Sequence, residues 1–372
     1  MNYLFLASAA EIAKYGLYVL VAVLVLLVMI TVHEFGHFIT GKAFGFGIEE
    51  FSIGFGPKIF GKTKKNGEKF SVRAIPLGGF CAFKGEDADD SDPTAFNNKK
   101  PWQRIIVLIS GALMNYILAV IVIILMFGVF GSSALMIYET NATTGDSQEY
   151  SFKSKDVIIE ANGKDVYLIT DLMNALSGKK AGESVKFLIY RNGEYAETEI
   201  TMKADADFKN LEDSETLCKA LGVKYEKSEN GGISTGFRST GIKCGVFKTL
   251  GRSFRYSFKL AGTVFTVFRQ LFTGSLGIGS LGGTVTTITV TANAIKAGGI
   301  WSLLNISAFI GVNLAVFNLL PIPALDGARV VFVIVEWIRR KPLNRRVEAI
   351  IHTIGFAAIL LFAIFVDLQR CF

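Results

Sequence analysis

Apolar residues are concentrated in four long runs that polar or mixed segments separate. The runs cover residues 15–39, 105–130, 300–320 and 350–366, and the third continues after a proline break to Val335. A helix of about 20 apolar residues crosses a bilayer core. The pattern therefore predicts a polytopic α-helical membrane protein with about four transmembrane helices. The length and polar end of the first run argue against a secretion signal.

The segment after the first run predicts a β-hairpin. Alternating residues from Phe51 lead to the pair Asn66 and Gly67, and a second alternating stretch follows and ends near Phe80. An Asn-Gly pair between alternating segments is a strong hairpin signal. A strand edge at a membrane surface can pair with an extended guest peptide. We therefore expect a membrane-associated hairpin that is able to receive a peptide.

Residues 150–205 have the turns and alternation of a small soluble β-rich domain. Segments 156–160, 185–191 and 194–202 are predicted strands, and 170–176 is a predicted short helix. Four regions follow from these patterns. They are an N-terminal membrane part at 1–131, the β-rich domain at 132–210, a tail at 211–299 and a C-terminal membrane part at 300–372.

The tail contains a basic and aromatic stretch between residues 247 and 272, where lysines and arginines punctuate phenylalanines. This pattern fits a helix in the membrane interface or a helix packed on the spans, and the sequence leaves both open. The Gly- and Thr-rich stretch 274–299 predicts a flexible loop or a re-entrant segment.

Charge places the regions on the two sides of the membrane. The net charge is +7, and the basic residues cluster beside the apolar runs. This pattern indicates the orientation of the chain in the membrane and contact with anionic lipid. It does not indicate a nucleic-acid partner. The loops after the first and third runs are both basic, so both are predicted to be cytoplasmic. The N-terminus, residues 131–299 and the C-terminus then lie outside. Cys218 and Cys244 are in that outer part, where a disulfide between them is an open possibility.

The first apolar run ends in His33-Glu34-Phe35-Gly36-His37. Positions four apart share a helix face, so His33 and His37 can hold one metal ion together. Glu34 lies beside them and can take a proton from a metal-bound water. This is the HExxH arrangement of zinc hydrolases, and ionisable groups at membrane depth usually serve function.

A catalytic zinc ion needs about three protein ligands and one open position. Asp326 is the candidate for the third ligand, because it is the only acidic residue between Glu229 and Glu336 and lies at matched depth near the end of the third run. The alternative role for Asp326 is a cap next to Gly327. Pro321 and Pro323 break the helix before it.

Further polar residues lie in the apolar runs. Asn313 and Asn318 are in the third run, and Asn318 is predicted to contact the substrate or the transition state. Asn115 either joins helices or points at the active site. His352 is a lone histidine near the start of the fourth run, for which an interfacial or packed position is expected.

The chain resembles the site-2 protease family of intramembrane zinc metalloproteases, specifically its bacterial RseP-like branch. The resemblance is carried by HExxH and by four further motifs in the same order along the chain. These are Gly54–Phe60, Ile75–Phe80, Trp102–Arg104 with Gly111–Asn115, and Asn313–Gly327 with its Pro-Ile-Pro-Ala-Leu-Asp-Gly.

This resemblance implies zinc bound by His33, His37 and Asp326, with Glu34 as the catalytic base. It also implies that the strands around residues 51–83 hold the substrate as an added strand, and that residues 150–205 form one PDZ-like domain outside the membrane. That domain binds peptide or only gates access. The implied substrate-binding residues are Asn318, Pro321, Pro323, Asn313, Gly78 and Gly79.

The predicted function is intramembrane cleavage of single-span proteins or signal-peptide remnants, in regulated intramembrane proteolysis. The expected partners are such a substrate, the lipid bilayer and an upstream site-1-type protease, and the expected location is a bacterial inner or plasma membrane. The competing hypotheses are a membrane metal transporter, which the absence of a sequence repeat disfavours, and a catalytically silent scaffold, which the intact Glu34 disfavours.

Overall fold

Helices occupy all four predicted apolar runs. The computed structural model describes residues 9–86, 90–140, 152–208, 213–227, 233–274 and 282–369. The helices are α1 (Ala9–Ala43), α2 (Pro101–Phe130), α3 (Ile169–Leu176), α4 (Ser214–Leu221), α5 (Val246–Phe272), α6 (Thr284–Asn318), α7 (Asp326–Arg339) and α8 (Arg345–Gln369). Within the described ranges, α1, α2, α6 and α8 are long and apolar enough to cross a membrane. This agrees with the predicted membrane protein.

The strands alternate with these helices in the first two thirds of the chain. They are β1 (Ile48–Thr63), β2 (Lys69–Phe83), β3 (Ser132–Ile137), β4 (Val157–Ala161), β5 (Lys164–Asp165), β6 (Ser184–Arg191), β7 (Glu194–Thr201), β8 (Tyr225–Lys227), β9 (Ile233–Thr235) and β10 (Phe237–Ile242). The chain divides into two compact units, one made of residues 1–123 and 257–372 and the other of residues 124–256.

In the first unit, β1 and β2 form the predicted antiparallel hairpin. Gly67 adopts φ +88° in the connecting turn, and its N–H donates to the carbonyl of Lys64 at 3.0 Å. Aromatic contacts attach the hairpin to α1, because the Phe38 ring lies 5.3 Å from the Phe51 ring and 5.5 Å from the Phe70 ring, centroid to centroid. Since Phe38 directly follows His37, this packing brings the hairpin next to HExxH.

A buried ionic cluster joins the ends of three helices in the same unit. Glu336 of α7 accepts from Arg104 of α2 at 2.7 Å and from Arg345 of α8 at 2.8 Å. Arg345 also pairs with Glu348 at 3.0 Å. Buried charges are tolerated when they are paired and hydrogen-bonded. This cluster therefore holds the end of α7 against the beginning of α2.

The second unit contains a sheet of antiparallel strands in the order β10-β3-β4-β6-β7, with β5 added to β4. The hairpin predicted at Asn192-Gly193 is present, since Arg191 pairs with Glu194. The predicted domain end at residue 210 differs from the structure. The compact unit extends to Tyr256 and includes β10, which pairs along β3 over six residues from Phe237 to Ile242.

Cys218 and Cys244 both carry free thiols in this unit. Burial raises the pKa of the Cys218 thiol to about 11, so it stays protonated near neutral pH. The structure therefore does not support a disulfide between them. A hydrophobic site within the helix–sheet core explains the burial of Cys218, which belongs to the main apolar cluster.

Helix α5 packs inside the protein through one face, on which Tyr256, Leu260 and Val264 are buried. Its Phe268 ring lies 5.3 Å from the Phe317 ring of α6. The packed alternative for this basic and aromatic stretch is thus observed. On another face several phenylalanines are exposed, with Phe247 at 90%, so contact of that face with lipid stays a prediction.

Of the two alternatives predicted for residues 274–299, the flexible loop is wrong over residues 284–298, and the re-entrant segment stays a prediction. Residues 284–298 are helical and precede a break at Gly299, where φ is 58° and ψ is −139°. Residues 275–281 lie outside the described ranges. The threonine hydroxyls are satisfied within this helix, because Thr287 and Thr291 donate to carbonyls four residues earlier at 2.9 and 2.7 Å.

The N-terminus of the same helix is capped by a residue from a distant part of the chain. Near the end of α8, the Asp367 carboxylate accepts from the backbone N–H of Gly283, Val285 and Thr286 at 3.0–3.1 Å. It also accepts from the Thr286 hydroxyl at 2.7 Å. A carboxylate at a helix N-terminus satisfies the free amides and favours the helix dipole.

We expect Asp367→Ala to destabilise the protein by about 1 kcal/mol, the typical value of a lost helix cap, because three amides lose their acceptor. Thermal unfolding of the detergent-purified protein measures this. Asp367→Asn keeps one carbonyl oxygen and should lose less stability. Equal melting temperatures for Asp367→Ala and the unchanged protein would contradict a capping role.

Candidate metal and active site

Helix α1 positions the two histidines of HExxH on one face. Their Nε2 atoms lie 3.1 Å apart, and the rings meet edge to face with centroids 4.8 Å apart. Both residues are buried. The four-residue spacing in a regular helix thus produces the arrangement that the sequence predicted.

Asp326 meets this pair from the beginning of α7. Its Oδ2 lies 3.0 Å from His33 Nε2 and 3.3 Å from His37 Nε2. Nearly 300 residues separate the partners along the chain, so only the tertiary fold joins them. The structure brings all three sequence-predicted metal-ligand candidates together.

The three atoms fit a metal ion. One ligand atom from each residue lies within 4.8 Å of the other two. Zinc bonds of about 2.0–2.1 Å place the corners of a tetrahedron about 3.3 Å apart, which matches the measured separations of 3.0–3.3 Å. Two imidazole nitrogens and a carboxylate oxygen also form a common zinc donor set. A cation relieves the crowding of three lone pairs in a buried site.

Neighbouring groups orient the histidine rings. The Nδ1–H of His37 donates to the carbonyl of Val107 at 2.8 Å, which leaves the Nε2 lone pair free to face a metal. The side-chain amide of Asn318 lies 3.5 Å from His33 Nδ1. The two ends of an amide exchange on rotation, and its oxygen is the acceptor that a protonated Nδ1 requires. Each ring therefore has a polar group next to its Nδ1 atom, on the side away from the metal-facing Nε2.

Glycines allow α2 to approach the histidines closely. A Cβ on Gly111 would lie 2.4 Å from His37 Nε2 and 2.8 Å from His33 Cε1. A Cβ on Gly36 would lie 2.4 Å from the carbonyl oxygen of Ser110. Any larger residue at either position would displace a ring or a helix, so the small residues of this motif serve both helix packing and the site.

Two cavities share part of their lining beside the donor triad. The first, of about 310 Å³, is bounded by β2, α2 and α6, and the second, of about 670 Å³, by the later part of β2, α7 and α8. Glu34, Ala324 and Asp326 line both. A carboxylate that reaches both cavities beside the donor triad is placed to exchange protons with a molecule in either one.

The predicted substrate-binding residues divide into two groups. Gly78, Gly79 and Asn318 line the first cavity. Asn313, Pro321 and Pro323 are not among the residues that line either cavity. Pro323 instead packs against α8, where a Cβ on Gly355 would lie 2.3 Å from the Pro323 Cβ. Their contact with substrate stays a prediction.

Sequence reasoning gave no role to His352, and the structure gives it one. Its Nδ1 accepts a hydrogen bond from the backbone N–H of Ala324 at 3.1 Å. Ala324 adopts φ +81°, a conformation that residues other than glycine rarely adopt. The sequence signal for this was weak, because an alanine in a proline-rich loop does not reveal a positive φ.

Comparison with known proteins supports a single family. Residues 21–362 match the family described as Peptidase family M50. A protein of Fusobacterium nucleatum, named a "putative zinc metalloprotease", is 32% identical over 356 residues, which cover 94% of this chain and 97% of that protein.

Two further bacterial proteins with the same descriptive name are similar over most of their length. The one from Clostridium perfringens is 32% identical, and the match covers 91% of this chain and 94% of that protein. The one from Brucella suis is 28% identical, and the match covers 93% of this chain and 94% of that protein. With a family match over more than nine tenths of the chain and a donor set suited to zinc, this chain belongs to peptidase family M50, the site-2 protease family of zinc metalloproteases.

Proposed function

We propose that this protein hydrolyses peptide bonds within transmembrane segments of single-span proteins or in signal-peptide remnants. The observation that carries the proposal is the convergence of His33, His37 and Asp326 at one end of a helix long enough to cross a membrane. Only a substrate that is itself in the membrane would readily reach such a site. Family membership supports the same reaction class.

His33, His37 and Asp326 would hold zinc in this proposal. When bound, zinc polarises the scissile carbonyl and lowers the pKa of water towards neutrality. Glu34 accepts the proton of the attacking water and delivers it to the leaving amine. Gly79 lies close to both β1 and the base, since a Cβ there would lie 3.0 Å from the Ser52 carbonyl oxygen and 3.4 Å from Glu34 Cγ.

The edge of β2 would hold the substrate as an additional strand. Gly78 and Gly79 line the first cavity together with apolar side chains from α1, β1 and α6. Added strands bind through main-chain hydrogen bonds, which suits a substrate whose side chains are mostly apolar and variable. The substrate helix must unwind to expose its peptide groups before cleavage.

The cellular setting in this proposal is a bacterial inner or plasma membrane. Basic residues in the loops after α1 and α7 support a cytoplasmic position for the active site. The unit at 124–256, with its small antiparallel sheet and two short helices, would be a PDZ-like domain outside. An upstream site-1-type protease would first remove the outer part of the substrate.

Glu34→Gln should retain zinc and lose cleavage. The amide keeps the size of the side chain but accepts no proton, and a lost general base slows reactions by roughly 100-fold or more. Cleavage of a purified single-span substrate in detergent micelles gives the rate, and metal analysis gives the zinc content.

The membrane proteome provides the second arm of this experiment. Truncated single-span stubs should accumulate in cells that carry only Glu34→Gln, and they identify the substrates. Chelation of the unchanged enzyme should also stop cleavage, and added zinc should restore it. A Glu34→Gln protein that cuts at the wild-type rate would refute the proposed base.

The carboxylate of Asp326 depends on the conformation of the preceding loop. The amides of Ile322 and Leu325 donate to carbonyls inside the loop at 2.7 and 3.1 Å, whereas the Ala324 amide donates to His352 of α8. A strained residue persists only where its surroundings hold it. His352 is therefore proposed to position Asp326 through Ala324.

We expect His352→Leu to release zinc faster than the unchanged enzyme, because the strained loop loses its external acceptor. The rate of zinc transfer to a chelator measures this independently of activity. His352→Asn offers an oxygen near the position of Nδ1 and should restore retention in part. Ile354→Ala, at an exposed site of the same helix, is the control. Unchanged zinc release from His352→Leu would exclude the positioning role.

A further inference from the structure

The side chain of Asn115 is buried without the partners that an amide requires. It is 0% exposed, and neither its Nδ2 nor its Oδ1 has a hydrogen-bond partner among the described residues. A buried polar group without a partner destabilises a folded protein. An amide at this place therefore needs a reason other than stability.

The position of Asn115 is fixed from two sides. It lies one helical turn after Gly111, whose α-carbon faces the His33 and His37 rings, and residues four apart share a helix face. On α6, a Cβ on Gly311 would lie 3.4 Å from the carbonyl oxygen of Asn115. Close packing of both neighbouring helices thus fixes the backbone of α2 at Asn115, on the helix face that carries Gly111.

Asn115 lines the first cavity together with Glu34 and Asp326. Gly78 and Gly79 of β2 form the wall at which a substrate strand is proposed to bind. His33, Asn318 and apolar residues complete the lining. An extended peptide in this space brings carbonyl and N–H groups that have lost both water and their helical partners. These are the groups that most need a partner here.

We propose that the Asn115 side chain binds one peptide unit of the substrate main chain next to the bond that is cut. The amide offers one donor group and one acceptor, which matches the carbonyl and the N–H of a peptide backbone. The ligand class is thus an unwound polypeptide segment, recognised independently of its side chains. This inference rests on the proposed function and adds a substrate-binding residue to it.

Asn115→Leu and Asn115→Asp test the proposal. Leucine has a similar volume and removes both polar atoms, while aspartate keeps the shape and loses the donor. If the amide serves the substrate, Asn115→Leu should keep its zinc and melt at the same or a higher temperature, since an unpaired buried group is removed. Its kcat/KM should fall about tenfold to hundredfold, chiefly through KM.

The control is Tyr116→Phe, the next residue of α2. It removes a hydroxyl that lies 2.8 Å from Ser257 Oγ and that does not line the cavity, so kcat/KM should stay within about twofold. Cleavage by the unchanged enzyme and its loss in Glu34→Gln verify the proposed function in the same assay. The assay thereby distinguishes an error in the role proposed for Asn115 from an error in the proposed function.

Two results would overturn the inference. Wild-type kcat/KM in Asn115→Leu would show that the amide does not bind substrate. A joint loss of zinc, melting temperature and cleavage in both Asn115 variants would show that the amide only maintains the fold, with a bound water as its partner. Reduced kcat/KM in Asn115→Asp at unchanged zinc content would support the donor role.

Discussion

The structure depends on the meeting of two imidazoles and one carboxylate in an apolar environment. Ionisable groups are costly at membrane depth, and the His33, His37 and Asp326 donor atoms lie within 4.8 Å of one another. A shared cation compensates that cost only if all three atoms are held in place. The rings are therefore supported from behind, by the Val107 carbonyl in one case and by the Asn318 amide in the other.

Close helix packing is the second requirement of this arrangement. The rings of the HExxH helix reach α2 because Gly111 has no side chain, and the backbones approach at Gly36. Without a hydrophobic driving force between helices in lipid, small residues and interhelical hydrogen bonds take its place. One set of glycines thus provides both the helix contact and the open space that a metal ion requires.

The sequence predicted the parts of the site that follow from local rules. The four-residue spacing of His33 and His37 defines a shared helix face, and the scarcity of acids in the apolar runs singled out Asp326. The Asn66-Gly67 turn and the hairpin at Asn192-Gly193 also follow from local chemistry, and both are present.

Other features depend on contacts between distant segments. The pairing of β10 with β3 joins residues 237–242 to the sheet of the second unit. The Asp367 cap allows a Thr-rich stretch to be helical. The bond from Ala324 to His352 joins two segments whose relation no periodicity reveals. The positive φ of Ala324 has no signature in residue type.

The break between α6 and α7 brings two residues of the chain to the same histidine. In an uninterrupted helix, eight residues would separate Asn318 from Asp326 by about 12 Å along the axis. Instead, both approach one imidazole, since Asn318 lies 3.5 Å from His33 Nδ1 and Asp326 Oδ2 lies 3.0 Å from His33 Nε2. Pro321 and Pro323 cannot donate hydrogen bonds that would continue the helix.

The loop thereby returns the chain to the same histidine, with one residue behind the ring and one at its ligand atom. The strain at Ala324 is a consequence of turning so sharply within seven residues, and its amide needs an acceptor from another helix. Helix α8 is consequently part of the site although it contributes no donor to the triad. A continuous helix through residues 318–326 could not supply both groups to one ring.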